Sequence, residues 1–397
     1  MIEGYDIVCF SGDWDGDPLS KRHIMRRLAQ KNRVLWVDSI GNRKPAATAR
    51  DVKRALKKVR AFAAGCRQVE EKLWVYSPLA LPFHGSRLAR ALNRRFTAWH
   101  LRRACAQLGF RNVINWSFIP SSAELHVGER WLIYHCVDEF SEFTGTDKRA
   151  IRSLERRLMY KADAVIVSSA PLLDDKRRHN PNAFLVTHGV EVDHFRRACR
   201  TATVVPEDIA RLPRPVVGFF GLIADWVDLG LVRRLALARP QWSFVLIGKC
   251  DTDVSALRGL ENVHLLGRRE YEDLPAYCKG MDAAILPFVV NPLTLAANPL
   301  KLREYLAAGL PVVATDIPEA RRLEEWVRIG RSDEEFQSAL DEIVNGGRTG
   351  PQLGTSLPMD HESWDEKVAE LSRIVERLER ARRPQPAGEA LAEPSAS

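Results

Sequence analysis

Short runs of β-branched and aromatic residues alternate with segments of helical periodicity along the chain, and this alternation starts twice. The pattern is typical of parallel sheets whose strands are joined by crossover helices. The two series are separated by residues 200–214, a stretch with two prolines and little periodicity. At 397 residues the chain also exceeds one comfortable hydrophobic core. The sequence therefore predicts two α/β domains, at 1–200 and 214–355.

Each series can be resolved into elements, and both have the order expected of a Rossmann-like unit. In the first series we predict strands at 6–10, 33–37, 73–77, 112–116, 131–135, 163–168 and 184–188, with helices near 20–30, 86–108, 147–160 and 170–178. In the second we predict strands at 215–221, 243–248, 262–266, 283–287 and 311–315, with helices at 228–238, 271–279, 299–308 and 333–345. A long amphipathic helix follows within 360–383. The polar, Pro/Ala/Ser-rich tail 384–397 is expected to be disordered.

Composition narrows the class of protein. No run reaches the roughly 18 apolar residues of a spanning helix, and the start lacks a basic segment before an apolar one. We therefore expect the chain to stay in the cytoplasm. Its seven cysteines contain no CxxC pair, which argues against a disulfide framework or a zinc site. We expect them to be buried thiols.

Charge is divided unequally between the two halves. Residues 1–200 carry 36 Lys and Arg against 21 Asp and Glu, whereas the remainder carries 23 against 30. A basic half can meet nucleic acid, an anionic membrane surface or a phosphorylated acceptor. No nucleic-acid reading motif is present, so we expect no nucleic-acid partner.

The positive charge is concentrated at 50–60 and 86–109. In the second segment arginines flank apolar residues at near-helical spacing, which predicts a helix lying at a membrane interface. A solvated helix face over the core fits the same pattern equally well. The apolar residues are Leu88, Leu92, Phe96, Trp99 and Leu101.

The most informative segment is 298–316, NPLKLREYLAAGLPVVATD. Asn298 is a favourable N-cap before Pro299, Gly309 can terminate the helix, and Pro311 prevents its continuation. The segment is therefore predicted to be a short helix followed by a strand. The first turn of such a helix offers free N–H groups and a partial positive charge, which suits an anion.

Lys301 and Glu304 share one face of this predicted helix. The Lys301 ammonium could meet a diphosphate, and the Glu304 carboxylate could accept two ribose hydroxyls. The alternative is that the two side chains only pair with each other on a solvated face.

At these residues the chain resembles the GT-B glycosyltransferases, whose lysine or backbone turn holds the donor diphosphate and whose helix glutamate holds ribose. Residues 217–226, 244–248, 262–279, 284–288 and 187–195 resemble the family's strands and loops in the same order. The resemblance implies two Rossmann-like domains facing across a cleft, with the C-terminal helix returning to the N-terminal domain. The donor-binding residues that it implies are Gly221, Trp226, Gly267, Arg268, Phe288, Asn298, Lys301 and Glu304.

Three of these positions also have a physical rationale. Gly221 would let the backbone approach a phosphate with no Cβ in the way. Backbone groups around Gly267 and Arg268 could read the edges of a nucleobase if no sheet ladder uses them. For Gly248, a tight turn at a strand end is an equally good interpretation.

The predicted strand 131–135 runs into an acidic pair that begins at Asp138. Open α/β sheets bind ligands at the carboxyl ends of their strands, so Asp138 could take the proton from an acceptor hydroxyl. The spacing of Tyr134, Asp138 and Ser141 is similar to one in the membrane-associated xanthan glucuronosyltransferase, whose matching aspartate is the general base. A helix-capping aspartate is the alternative.

The loop 11–20 is rich in glycine and aspartate and leads into a helix that contains His23. It resembles the acceptor-side loop of bacterial polysaccharide glycosyltransferases, including those of the teichuronic-acid type. We therefore predict acceptor contacts from Gly12, Asp13, Trp14 and His23. For His23, a surface position on the helix is an equally good interpretation. Calcium binding is disfavoured because the DxDxDG spacing and the distal glutamate are missing.

The chain departs from the usual retaining pattern in two places. The position eight before Glu304, often acidic in retaining enzymes, is Ala296, and the usual Arg and Lys after the glycine loop are replaced by Asp225, Trp226 and Asp228. These departures favour an inverting reaction with Asp138 as base and with Lys301 and a helix dipole stabilising the leaving diphosphate. This scheme needs no metal and no cofactor.

The sequence thus predicts transfer of a hexose-type sugar from a nucleotide sugar, with uridine as the first guess for the nucleoside, to a polysaccharide or lipid-linked glycan acceptor. Peripheral contact with the inner face of an anionic membrane would explain the basic half. A GT-B-fold sugar-nucleotide epimerase and a catalytically silent GT-B partner module remain alternatives.

Overall fold

The structure is a computed structural model that describes residues 1–16, 18–39, 59–60, 62–79 and 87–382. Most of the predicted basic segment 50–60 and the whole of the predicted tail 384–397 lie outside the described residues.

Two sheets organise the chain. The N-terminal sheet contains β1 (Asp6–Phe10), β2 (Arg33–Val37), β3 (Arg67–Glu70), β4 (Leu73–Tyr76), β5 (Val113–Ser117), β6 (Trp131–Cys136), β7 (Ala164–Val167) and β8 (Ala183–Leu185). The C-terminal sheet contains β9 (Val216–Phe220), β10 (Ser243–Ile247), β11 (Val263–Gly267), β12 (Ala283–Leu286), β13 (Val312–Thr315) and β14 (Val327–Gly330).

Their strand orders are β3-β4-β2-β1-β5-β6-β7-β8 and β11-β10-β9-β12-β13-β14. All neighbouring pairs are parallel except β3 and β4. The order reverses beside the first strand of each series, which is the switch point where open α/β sheets bind ligands. The predicted fold of two Rossmann-like domains is confirmed.

The α-helices that cover the sheets follow the predicted alternation. They are α1 (Ser20–Leu28), α2 (Arg87–Gln107), α3 (Lys148–Lys161), α4 (Ala170–Lys176), α5 (Val192–Phe195), α6 (Glu207–Ala210), α7 (Leu229–Ala238), α8 (Leu274–Lys279), α9 (Pro292–Ala296), α10 (Leu300–Ala307), α11 (Pro318–Arg322), α12 (Asp333–Asn345), α13 (Leu353–Ser356) and α14 (Trp364–Arg382).

Helix α14 returns from the end of the second series to the N-terminal sheet. Its apolar stripe, including Leu371 and Val375, packs in one cluster with Ile24 of α1 and Ile114 of β5. Glu379 pairs with Arg130 beside β6 at 2.5 Å. One face of the N-terminal sheet is therefore covered by α1 and α14.

The opposite face of this sheet is covered by α2, α3 and α4. Helix α2 buries Leu101 against Val8, and α3 buries Leu158 against Leu132. The strand register puts Val8, Asn115 and Leu132 side by side, so both helices lie on the same face. They form the outer layer of the N-terminal domain.

Several predicted details are corrected by the structure. β3, with the sequence RQVE, and β14 were not predicted, because β3 is a polar edge strand without apolar alternation. The predicted strand 184–188 is only three residues long, at Ala183–Leu185. Not every cysteine is buried, since Cys250 is exposed.

The apolar residues predicted to form one stripe on α2 divide between two faces. Leu101 is fully buried in the core, whereas Leu92, Phe96 and Trp99 are exposed. The side chain of Leu88 lies outside what the structure describes. Among the described residues, no helix is both long enough and apolar enough to cross a bilayer.

Candidate functional site

The carboxyl ends of the two sheets face each other across a cleft. Loops that follow β6 and β9 meet there, since the Thr144 hydroxyl donates to the Asp225 carboxylate and Phe143 packs edge-on against Trp226 at 6.3 Å between ring centroids. Asp225 and Trp226, two of the residues that depart from the usual family pattern, thus contact the opposite domain. Asp228 caps α7 by accepting from Leu231 N at 2.7 Å.

Helix α10 begins at the base of this cleft, but not as predicted. Pro299 occupies the N-cap position, and Asn298 does not cap the helix. Its amide instead donates to the carbonyl of Ser168 in the N-terminal domain at 2.6 Å and accepts from Arg303 at 2.7 Å. Asn298 thus hydrogen-bonds to a residue of the other domain instead of capping α10, and this bond links the two domains.

Arg303 fixes the orientation of α10 from behind. Its guanidinium is fully buried and reaches Glu319 at 2.6 Å and Glu362 at 2.8 Å, in addition to Asn298. Lys367 of α14 joins the same cluster through Glu362 at 3.2 Å. Arg303 was not predicted as a site residue, because its carboxylate partners Glu319 and Glu362 are distant in sequence.

The rest of α10 is anchored to the C-terminal sheet. The Tyr305 hydroxyl accepts from the backbone N of Phe220 at 2.9 Å. Gly309 follows with φ +80°, so the predicted helix terminator is confirmed. Lys301 and Glu304, on the remaining face, are thereby held in the cleft.

Lys301 and Glu304 lie side by side next to the glycine loop that follows β9. Their Nζ and Oε2 atoms are 3.9 Å apart. Gly221 has φ +145°, and a Cβ there would lie 2.9 Å from Lys301 Cε. A side chain at Gly221 would both strain the backbone and displace the lysine.

Gly248 has a role that the sequence left open. A Cβ at this position would overlap the carbonyl oxygen of Gly221, so the glycine permits close approach of two backbones. The loops after β9 and β10 are consequently packed directly against each other beside Lys301.

Glu304 has an unpartnered oxygen. Its side chain is 9% exposed, and Oε2 is buried without a hydrogen-bond partner among the described residues. Burial raises the pKa of Glu304, while Lys301 and His23 oppose this shift. A buried acceptor without a donor is a costly arrangement that a hydroxyl-bearing ligand would relieve.

His23 of the N-terminal domain lies near Glu304. Its Nδ1 donates to Glu191 at 2.8 Å, and its ring stacks on Trp364 with 5.3 Å between centroids. The Tyr271 ring is 5.9 Å from it. His23 therefore faces the predicted donor side of the cleft.

The backbone at Gly267 and Arg268 is less available than predicted. Gly267 pairs with Ile247 in the sheet, and its carbonyl accepts from Gly248 N at 2.9 Å. The carbonyl of Arg268 accepts from Arg269 at 3.2 Å. The expectation that no sheet ladder uses this backbone is wrong for Gly267, because the strand extends one residue further than predicted.

The remaining predicted donor residues, Phe288 and Trp226, pack against the core of the C-terminal domain. Phe288 is buried in the C-terminal core and donates its backbone N to Thr315 Oγ1 at 3.2 Å. Trp226 packs partly against the same core.

Asp138 lies directly after β6, as predicted, and does not cap a helix. No described side chain hydrogen-bonds its carboxylate. Burial raises the pKa of Asp138 to about 6, and the neighbouring Lys21 ammonium opposes that shift. A carboxylate with a pKa near neutrality and no fixed partner is suited to proton transfer.

Lys21, on the first turn of α1, was not predicted as a site residue. Its ammonium lies 5.8 Å from the ring centroid of Phe118 and 5.7 Å from that of Phe140. Burial lowers the pKa of Lys21, and Asp138 counteracts this. Lys21 thus sets the charge around the candidate base.

Tyr134 and Ser141, the other two residues of the similar pattern, each donate a hydrogen bond to a carboxylate. The Tyr134 hydroxyl donates to the buried carboxylate of Glu155 at 2.6 Å, and Ser141 donates to Glu139 at 2.7 Å. Lys176 joins both carboxylates at 3.0 Å. This cluster supports the loop that carries Asp138.

The predicted acceptor loop is held by its own contacts. The carbonyl of Gly12 accepts from Trp36, and Asp13 accepts from the Ser39 hydroxyl at 2.6 Å. Trp14 is buried in the core, edge-on to Trp36 at 5.1 Å. Its indole therefore shapes the loop from beneath, while Asp13 remains exposed.

Comparisons with known proteins agree with this architecture. Residues 214–345 match the family model for glycosyl transferases group 1. The chain is 26% identical over 390 residues to TuaH of Bacillus subtilis strain 168, a protein assigned as a teichuronic acid biosynthesis glycosyltransferase, covering 88% of this chain and 92% of that protein.

Solved structures resemble nearly the whole chain. Sucrose-phosphate synthase from Thermosynechococcus elongatus superposes with a TM-score of 0.68 at 15% identity, covering 95% of this chain and 100% of that one. HepE from Anabaena in complex with UDP has a TM-score of 0.65 at 14% identity, covering 94% and 100%.

The chain is therefore a glycosyltransferase with the GT-B fold. More particularly, its C-terminal half carries a glycosyl transferase group 1 domain at 214–345.

The unpartnered oxygen of Glu304 leads to a test with two readouts. The pKa of Glu304 is raised in the folded protein. Ionisation of its carboxylate therefore destabilises the folded state as the pH rises above the pKa that the residue has in the unfolded chain. At neutral pH, Glu304→Gln should leave the free energy of unfolding unchanged or raise it by up to about 1 kcal/mol, while reducing the thermal shift induced by UDP. Chemical denaturation and thermal-shift measurements check both. A variant that unfolds more easily and binds UDP normally would mark Glu304 as structural.

Proposed function

We propose that this enzyme transfers a sugar from a nucleoside diphosphate sugar, with UDP-sugar as the first candidate, to a hydroxyl of a polysaccharide or lipid-linked glycan. The observation that carries the proposal is the placement of Lys301 and the unsatisfied Glu304 beside Gly221, in the cleft between the domains. A cation next to an unobstructed backbone suits a diphosphate, and the buried carboxylate suits ribose hydroxyls.

The relatives support the choice of substrates. HepE has been solved in complex with UDP and with UDP-glucose. TuaH is assigned to the biosynthesis of teichuronic acid. A lipid-linked acceptor would bring the N-terminal domain to the inner face of a membrane.

For the chemistry we propose an inverting displacement with Asp138 as the base. The acceptor oxygen forms a bond to the anomeric carbon, its proton passes to the Asp138 carboxylate, and the bond from that carbon to the diphosphate breaks. Lys301 and the N-terminal turn of α10 stabilise the charge that develops on the leaving diphosphate. The support is that burial raises the pKa of Asp138 to about 6 and that Lys301 lies beside the glycine loop.

Replacing Lys301 tests the donor site. Lys301→Ala should raise the Kd for UDP roughly tenfold to hundredfold, because a charge-assisted contact worth about 1.5–3 kcal/mol is lost. Calorimetric titration measures the effect, and transfer of labelled sugar from UDP-sugars should fall with it. Lys31→Ala, at an exposed lysine after α1, is the matched control and should bind UDP normally.

Two outcomes would contradict the proposal. UDP binding without turnover of any nucleotide sugar, with or without acceptor, would indicate a silent partner module. Conversion of the donor into an epimer without acceptor would indicate an epimerase.

The acid limb of the pH profile tests the base. Because Asp138 must be ionised, kcat/KM should rise with pH to a plateau, with half its maximum near pH 6. Asp138→Asn should lower the plateau by roughly 10² to 10⁴. Lys21→Met should move the limb to higher pH, since Lys21 holds the pKa of Asp138 down. A limb unchanged in Lys21→Met would exclude Asp138 as the titrating group.

A further inference from the structure

The outer layer of the N-terminal domain carries a large excess of positive charge. Helices α2 and α3 together contain twelve Lys and Arg but a single acidic residue, Glu155. That residue is buried and faces Lys176 at 3.0 Å, so it does not offset charge on the surface. Neither helix presents a carboxylate to solvent within the described residues.

The two helices form one surface because Glu124 joins them. Its carboxylate accepts from Arg94 of α2 at 2.6 Å and from Arg157 of α3 at 2.8 Å. His126 also contacts both, through Arg102 at 3.2 Å and Lys161 at 3.4 Å. The α2–α3 face is therefore continuous.

Apolar side chains are exposed among the cations of the α2–α3 face. Leu92, Phe96 and Trp99 of α2 are 54%, 39% and 56% exposed, and Tyr160 of α3 is 86% exposed. The guanidinium carbon of Arg103 lies 5.9 Å from the Trp99 ring centroid. Aromatic rings beside arginines are the usual composition of surfaces that rest at the headgroup level of a bilayer.

One end of the face contacts the loop that follows β6. A shallow groove of about 580 Å³ runs along α3 and is lined by Arg149, Arg152, Arg156, Arg157, Tyr160 and Lys161. At one end, Arg152 contacts Ser141 at 3.2 Å, three residues beyond Asp138. The groove therefore ends next to the loop that carries Asp138.

We propose that the α2–α3 face docks on the surface of an anionic phospholipid bilayer. Its cations complement the negative lipid headgroups. Its exposed aromatic and aliphatic side chains can insert at the boundary between headgroups and acyl chains. A free anionic polymer would satisfy the charge, but it offers little apolar surface to Leu92, Phe96 and Trp99. The docking does not depend on the proposed sugar transfer.

Vesicle sedimentation of the full-length protein tests the docking. Binding to vesicles of phosphatidylglycerol and phosphatidylcholine should be strong, should weaken with added salt, and should be absent with phosphatidylcholine alone. Arg149→Gln combined with Arg156→Gln should lower the partition coefficient about tenfold or more, and Trp99→Ser should also lower it. All three residues are exposed, so the variants should fold.

The matched control is Arg258→Gln combined with Arg348→Gln, two exposed arginines of the C-terminal domain, which should bind vesicles like the unaltered protein. UDP affinity should be the same in every variant, which separates this test from that of the transferase. Equal loss of vesicle binding in the control, binding indifferent to lipid charge, or binding to soluble polyglutamate in place of vesicles would each overturn the proposal.

Discussion

The buried ion cluster around Arg303 is the constraint on which the rest of the site depends. A fully buried guanidinium is tolerated only when it is paired and hydrogen-bonded, and here Asn298, Glu319 and Glu362 supply the partners. Because these partners come from the loop before α10, from α11 and from the segment before α14, the cluster links three parts of the chain. Helix α10 can therefore adopt one orientation, with Lys301 and Glu304 in the cleft.

Close contacts between backbone segments also fix the geometry of the site. Gly221 and Gly248 allow the loops after β9 and β10 to touch, and Tyr305 holds the last residue of β9 against α10. The result is a cation, a carboxylate and an open stretch of backbone in one small volume. None of these groups is unusual alone, and the chemistry arises from their proximity.

Much of the fold could be predicted because parallel strands and crossover helices leave periodic signals in the sequence. The polar edge strand β3 leaves no such signal. Asn298 illustrates a second limit, since it has the local properties of an N-cap but bonds to Ser168 in the other domain. Lys21 and Arg303 were missed for the same reason: their partners are close in space and distant along the chain.

The most direct test of the account is a crystal structure of the full-length protein with UDP. It should show the diphosphate within hydrogen-bond distance of Lys301 Nζ beside Gly221, and the ribose hydroxyls on the Glu304 carboxylate. UDP bound elsewhere, with Glu304 still lacking a partner, would contradict the assignment of this cleft as the donor site.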